Sequence, residues 1–113
     1  MEEENKTILD GEMCALNIIA NSGDARSKAF GALEEAKAGN FEAAEQLLAE
    51  ARECGQKAHN AQTELLFADA NGTAPAMNVL LVHAQDHFMT SMLAEELIQE
   101  IILLYKDRAA KEK

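Results

Sequence analysis

Tryptophan is absent from the sequence, and tyrosine and proline occur once each. A β-sandwich or barrel would draw on more aromatics and on many more turn residues. No apolar run approaches the roughly 18 residues that a membrane span needs. The start of the chain, Met1-Glu2-Glu3-Glu4, is acidic and unlike a signal peptide. Cysteine is scarce: Cys14 and Cys54 stand far apart and no CxxC motif occurs. That argues against a zinc or redox site and for two buried free thiols in a reducing compartment. Positive charge is also short, with 10 Lys and Arg against 20 Asp and Glu and a net charge of −10. No basic face for nucleic acid or for anionic lipid is expected. A basic protein partner would be steered toward such a chain. These absences predict a soluble, cytoplasmic protein.

What is present favours helix. The 113 residues fit one domain, 48 % of them are hydrophobic, and Ala, Leu, Glu and Lys dominate. Gly39-Asn40 and Asn71-Gly72-Thr73-Ala74-Pro75 are the two clusters of breakers, and each reads as a short loop. The spacing predicts three helices. The first runs from about Ile8 to Ala38, with Thr7 as its cap and Asp10 at the positive end of its dipole. The second runs from about Phe41 to Ala68. The third starts near Pro75, with Thr73 as its cap, and ends around Arg108. Residues 8–108 form the domain, between a flexible acidic N-terminus at 1–7 and a flexible tail at 109–113.

Apolar residues recur at steps of three and four along each helix. In the first, the stripe runs through Leu9, Met13, Leu16, Ala20, Gly23, Ser27, Phe30 and Leu33. In the second, it runs through Phe41, Ala44, Leu48, Ala51, Gly55, Ala58, Gln62 and Leu65. The third carries two stripes. One passes through Leu80, Ala84, His87, Ser91, Ala94, Ile98, Ile101 and Tyr105. The other passes through Val79, Val82, Asp86, Met89, Leu93, Leu97 and Leu104, with Glu100 interrupting it. One stripe suffices to pack on the other two helices. The second needs another partner, and self-association through the third helix supplies it.

Chemistry concentrates in Val82-His83-Ala84-Gln85-Asp86-His87. On a helix, His83 and His87 are neighbours one turn apart, and Asp86 shares their broad side. Copies of Asp86 meeting on a symmetry axis would repel, and a hard divalent cation such as magnesium would resolve the conflict. A histidine pair at this spacing serves metal binding, acid–base catalysis or phosphoryl carriage. The HExxH glutamate of a zinc protease is missing, since Gln85 and Asp86 stand between the histidines. Acid–base catalysis calls for a substrate cleft. Phosphoryl carriage needs one exposed nucleophilic imidazole and a few donors. His59 and Gln62 on the second helix are candidates to line a groove facing His83.

The segment Leu81-Val82-His83-Ala84-Gln85-Asp86-His87-Phe88-Met89-Thr90-Ser91 resembles the active-site helix of the lactose/cellobiose IIA proteins of the bacterial sugar phosphotransferase system, with Phe88 a conservative apolar variation. The resemblance extends to Ile18-Ile19-Ala20-Asn21-Ser22-Gly23-Asp24-Ala25-Arg26-Ser27, to Ala36-Lys37-Ala38-Gly39-Asn40-Phe41 and to Ala58-His59-Asn60-Ala61-Gln62-Thr63. It implies a homotrimer of three-helix subunits, a nine-helix bundle. It implies that His83 accepts a phosphoryl group from phospho-HPr and gives it to a cysteine of the IIB component, the sugar passing through the membrane component IIC. It implies that Asp86 is the metal ligand on the trimer axis, with a divalent cation and no organic cofactor. His87 is the candidate stabiliser of the phosphoryl group and Gln85 a second. The sugar, of the lactose, cellobiose or chitobiose type, is not written in these residues. Two other readings stay open on the residues alone. One is a histidine phosphotransfer domain of two-component signalling, which usually carries lysine and glycine shortly after its histidine where this chain has Gln85, Asp86 and His87. The other is a non-catalytic helical oligomer that only binds metal.

Overall fold

A computed structural model describes residues 7–112. Among these residues the regular structure is all-α: α1 spans Gly11–Lys37, α2 Phe41–Ala70 and α3 Val79–Lys111. The flexible segment expected at 1–7 lies, except for Thr7, outside the described residues. None of the helices is long and apolar enough to cross a membrane.

Both turns use glycine where the chain must leave the helix left-handed. Gly39 and Gly72 have φ of 86° and 75°. Behind each glycine the next amide reaches back across the last turn. Asn40 N–H donates to the Glu35 carbonyl at 2.8 Å, and Thr73 N–H donates to the Ala68 carbonyl at 2.8 Å. These bonds satisfy carbonyls that the helix end would leave without partners.

The helix starts differ from the sequence expectation. Asp10, rather than Thr7, caps α1: its carboxylate accepts from Met13 N–H at 3.1 Å. Asn78, rather than Thr73, caps α3, its side chain accepting from Leu81 N–H at 2.9 Å. The reason lies in the connecting segment. Thr73 is engaged with the end of α2, and its carbonyl accepts from Leu9 N–H at 2.9 Å. Pro75 is not in a first helical turn. It seats against Gly11, where an added Cβ would lie 2.8 Å from the proline ring. The chain therefore stays extended until Asn78. At the other end α3 runs through Lys111, so residues 109–111 of the expected tail are helical.

Helix α1 lies along both other helices, whereas α2 and α3 hardly meet. The molecule is a thin plank, 72 × 23 × 16 Å. A helix with two neighbours must let both approach, and α1 does so with small side chains. Its buried residues are Cys14, Ala15, Ile18, Ser22, Ala25, Ala29, Ala32 and Ala36. Of the expected stripe, Leu9 and Leu33 pack against the core clusters, but the larger residues between them turn outward: Met13 is 63 % exposed, Leu16 47 % and Phe30 50 %. The α2 stripe packs largely as expected, with Ala44, Leu48, Ala51, Ala58 and Leu65 buried. On α3 the first stripe faces the other helices through Ala84, Ser91 and Ile98, joined by Leu81, Phe88 and Ile102. The second stripe is left on the surface, from Val79, 85 % exposed, to Leu104, 68 % exposed.

Two apolar clusters fill the interior. One holds Cys14, Ile18, Leu65, Leu81 and Phe88, the other Ala32, Leu48, Ile98 and Ile102. Between them is a polar waist. Ser22 and Ser91 are each 1 % exposed, and their hydroxyls lack a partner. They line a cavity of about 340 Å³ together with Arg52, Gly55, His59 and Glu95. Burial pushes the Glu95 carboxyl up, with help from Glu96 and against the pull of Arg52. Gly55 makes room for this carboxylate, since a Cβ there would lie 3.0 Å from Glu95 Oε2. Both cysteines are free thiols. Cys14 is buried, its Sγ 3.7 Å from the Ala61 carbonyl, and burial raises its pKa.

Candidate functional site

The first turns of α3 carry the site. Asn78 fixes where the helix begins, and Leu81, Ala84 and Phe88 anchor its inner face in the first core cluster. Residues 83 and 87 then fall on one flank, as their one-turn spacing requires. Their rings stack, with centroids 5.8 Å apart and planes 14° from parallel. The two differ in surroundings. His83 is exposed and His87 is half-buried. Burial lowers the His87 pKa first, then the charges of Arg26 and of His83, while Asp86 raises it. His87 is therefore held neutral, which leaves one ring nitrogen able to donate and one to accept.

His87 rests on α1. A Cβ added to Gly23 would stand 3.4 Å from His87 Nε2, an ordinary contact, so the imidazole lies beside this part of α1. This contact, and the presence of Arg26 one turn further along α1, was not legible in the sequence. It depends on how α1 and α3 align, and no local pattern states that.

Asp86 points away from the core, exposed between Val82 and Met89 on the outer stripe. Thr90 donates its hydroxyl to the Asp86 carbonyl at 2.8 Å and lies 3.4 Å from that of His87. Among the described residues no group of three or more His, Cys, Asp or Glu side chains is gathered to hold a metal ion. One chain thus offers a single carboxylate on this face, and it suits a metal only where several copies converge.

The remaining candidates divide. Gln85 is half-buried and its amide nitrogen is enclosed without a partner, as is the Oε1 of Gln62. Among the described residues no hydrogen bond joins Gln85 to either histidine. His59 is exposed and tilts over the Phe88 ring, centroids 6.1 Å apart. It lines the waist cavity, whose lining does not include His83.

Long helices carrying an uncovered imidazole define a class: all-α proteins that present a histidine on an open surface. Comparison narrows it. Residues 13–106 match the family described as "PTS system, Lactose/Cellobiose specific IIA subunit", and the chain belongs to that family. It is 45 % identical over 95 residues to the lactose-specific EIIA component of Staphylococcus epidermidis, covering 84 % of this chain and 91 % of that protein. It is 46 % identical over 95 residues to the N,N'-diacetylchitobiose-specific EIIA component of Escherichia coli, covering 84 % of this chain and 82 % of that protein. The crystal structure of the cellobiose-specific enzyme IIA from Bacillus anthracis superposes with a TM-score of 0.87 at 41 % identity, over 93 % of this chain and 96 % of that one. The IIA protein in the Escherichia coli IIA(chitobiose)–HPr complex superposes with a TM-score of 0.77 at 42 % identity, over 89 % and 98 % of the two chains.

Proposed function

We propose that this phosphotransferase-system IIA component carries a phosphoryl group on His83, taken from phospho-HPr and delivered to a cysteine of IIB. The observation that carries the reading is the exposed His83 ring stacked on a His87 held neutral by burial against α1. A carrier must reach two different proteins, so its nucleophile belongs on an open surface rather than in a pocket. In the first step an imidazole nitrogen of His83 attacks phosphorus. The new N–P bond forms as the donor's N–P bond breaks, and the donor histidine leaves as neutral imidazole. In the second step a IIB thiolate attacks, an S–P bond forms, and the His83 imidazole is the leaving group. No proton is gained or lost overall in the first step. His87 can donate to a phosphoryl oxygen while neutral. That a related IIA protein was solved with HPr supports HPr as donor.

The exposed stripe of α3 supports a homotrimer with α3 at its centre. Three copies of Asp86 would then converge and hold a divalent cation such as magnesium. The ion would offset the repulsion of the carboxylates and take no part in transfer. The sugar would be handled by the membrane component IIC, as a lactose-, cellobiose- or chitobiose-type substrate. The work of this chain would be cytoplasmic.

The test is labelling by phosphoenolpyruvate, enzyme I and HPr, comparing the parent with His83→Ala, His87→Ala and His59→Ala. Loss of acid-labile phosphate in His83→Ala alone is expected. A parent that stays unlabelled would sink the reading, and labelled His83→Ala would move the acceptor elsewhere.

A further inference from the structure

A phosphoryl group on His83 would bring two negative charges to a protein that already carries a net −10. Something must receive them. The neighbouring polar groups are mostly committed. Thr90 turns its hydroxyl back onto its own helix. The Gln85 amide nitrogen is enclosed. Asp86 is itself an anion. His87 is neutral and offers one N–H at most. A dianion with three equatorial oxygens calls for a cation with several donors, and arginine's planar fork is the best match among side chains.

Helix α1 supplies one. Gly23 is the point at which His87 touches α1. Arg26 is three residues on, so it shares that face of the helix. Side chains on a helix tilt toward its N-terminus, which from position 26 of α1 is the direction of Gly23. The Arg26 guanidinium lies near enough for its charge to act at the His87 ring, as that of His83 also does. Arg26 is exposed, and among the described residues no carboxylate pairs with it, in contrast to Lys28 two residues on, whose amine sits 3.1 Å from Glu50. A neighbouring cation on the same helix is thus occupied while Arg26 is left open on the His87 side of α1.

We propose that Arg26 is an anion-binding residue of the site, its guanidinium engaging the phosphoryl oxygens as the group passes onto and off His83. The assignment rests on the phosphocarrier reading above and adds a residue to it.

The test is single-turnover transfer from phospho-HPr to the full chain, followed over a range of HPr concentration, for the parent, Arg26→Gln, Arg26→Lys and Lys28→Gln. The last removes the same unit of charge two residues away and controls for a general loss of attraction or repulsion. Arg26→Gln is expected to lower the maximal transfer rate by about tenfold or more, in line with loss of one charge-bearing donor at a transition state. Arg26→Lys should recover part of that loss, and Lys28→Gln should stay within about twofold of the parent. An Arg26→Gln rate equal to the parent's would overturn the proposal. So would an effect on half-saturation alone, which would make Arg26 a docking contact. If the parent itself accepts no phosphoryl group, the phosphocarrier reading fails first, and that result is distinct from a labelled parent with an indifferent Arg26→Gln.

Discussion

Along α1 the side chains that face the other helices are alanine at 15, 25, 29, 32 and 36, whereas α3 turns Val79, Val82, Met89, Leu93, Leu97 and Leu104 to solvent. Size therefore runs opposite to burial in these two regions. Inside the subunit, α1 is squeezed between two helices, and small residues let the backbones close on it. On the outer face of α3 nothing restricts size within one chain, yet large apolar residues follow one another over most of the helix. A contiguous apolar strip of this kind is unusual on a lone soluble protein and marks a contact surface. Covering the exposed half of each of those side chains would contribute on the order of 1 kcal/mol per residue. The lesson is that small residues on α1 report a helix squeezed between two others, while the large apolar residues on the outside of α3 point to a contact beyond the subunit.

The contrast can be broken at either end. Leu93→Asp puts a carboxylate in the middle of the outer strip and is expected to reduce the assembly to monomers, read by sedimentation, with helicity largely kept. If its mass stays that of the parent, the strip is not the assembly surface. Ala29→Leu overfills the fully buried α1 seam. It should cost about 1–3 kcal/mol in denaturant unfolding of the subunit, and an unchanged midpoint would mean the seam is looser than its burial indicates. Asp86→Leu extends the outer strip and removes its anion. The expected product is a trimer that no longer depends on divalent cation, and dissociation of this variant in EDTA, with the parent intact, would count against the axial placement.

The smallest effect belongs to Glu95 in the waist. Its folded pKa is raised, so the folded chain holds this proton more tightly than the unfolded one. The corresponding stability is fully present below the ordinary glutamate range and is lost as pH rises through the raised folded pKa. Glu95→Gln should therefore flatten the decline in thermal stability on going from acid to neutral pH. At neutral pH it should gain less than about 1 kcal/mol, because the carboxylate is partly solvated. A slope identical to the parent's would place the titration elsewhere.

Much of this was legible in the chain itself. Gly39 and Gly72 announce both turns, because a left-handed residue after a helix is most easily glycine. His83, Asp86 and His87 announce the site, because polar chemistry on or beside an apolar stripe is costly unless it is used. The buried face of α1 was not legible, and the reason is physical. Alanine and serine carry little hydrophobic signal, so Met13, Leu16 and Phe30 dominate any periodicity read from that helix. The caps at Asp10 and Asn78 were hidden for a different reason. Thr7 and Thr73 have equally suitable side chains, and only the seating of Pro75 on Gly11 decides where the helices begin. Arg26 was quoted within a resembling segment without a role, since its place beside His87 follows from a contact between helices distant in sequence.

The scant meeting of α2 and α3 also has a bearing on how the chain folds. The hairpin of α1 and α2 closes over the short turn at Gly39, so its contacts are local and quick to form. The third helix docks mainly on α1, the more distant of its two predecessors in the chain, with a lesser contact to α2. The seat of the His87 ring beside Gly23 joins segments more than sixty residues apart, so the candidate site is built from a contact of high sequence separation and belongs to the slow rather than the quick part of folding.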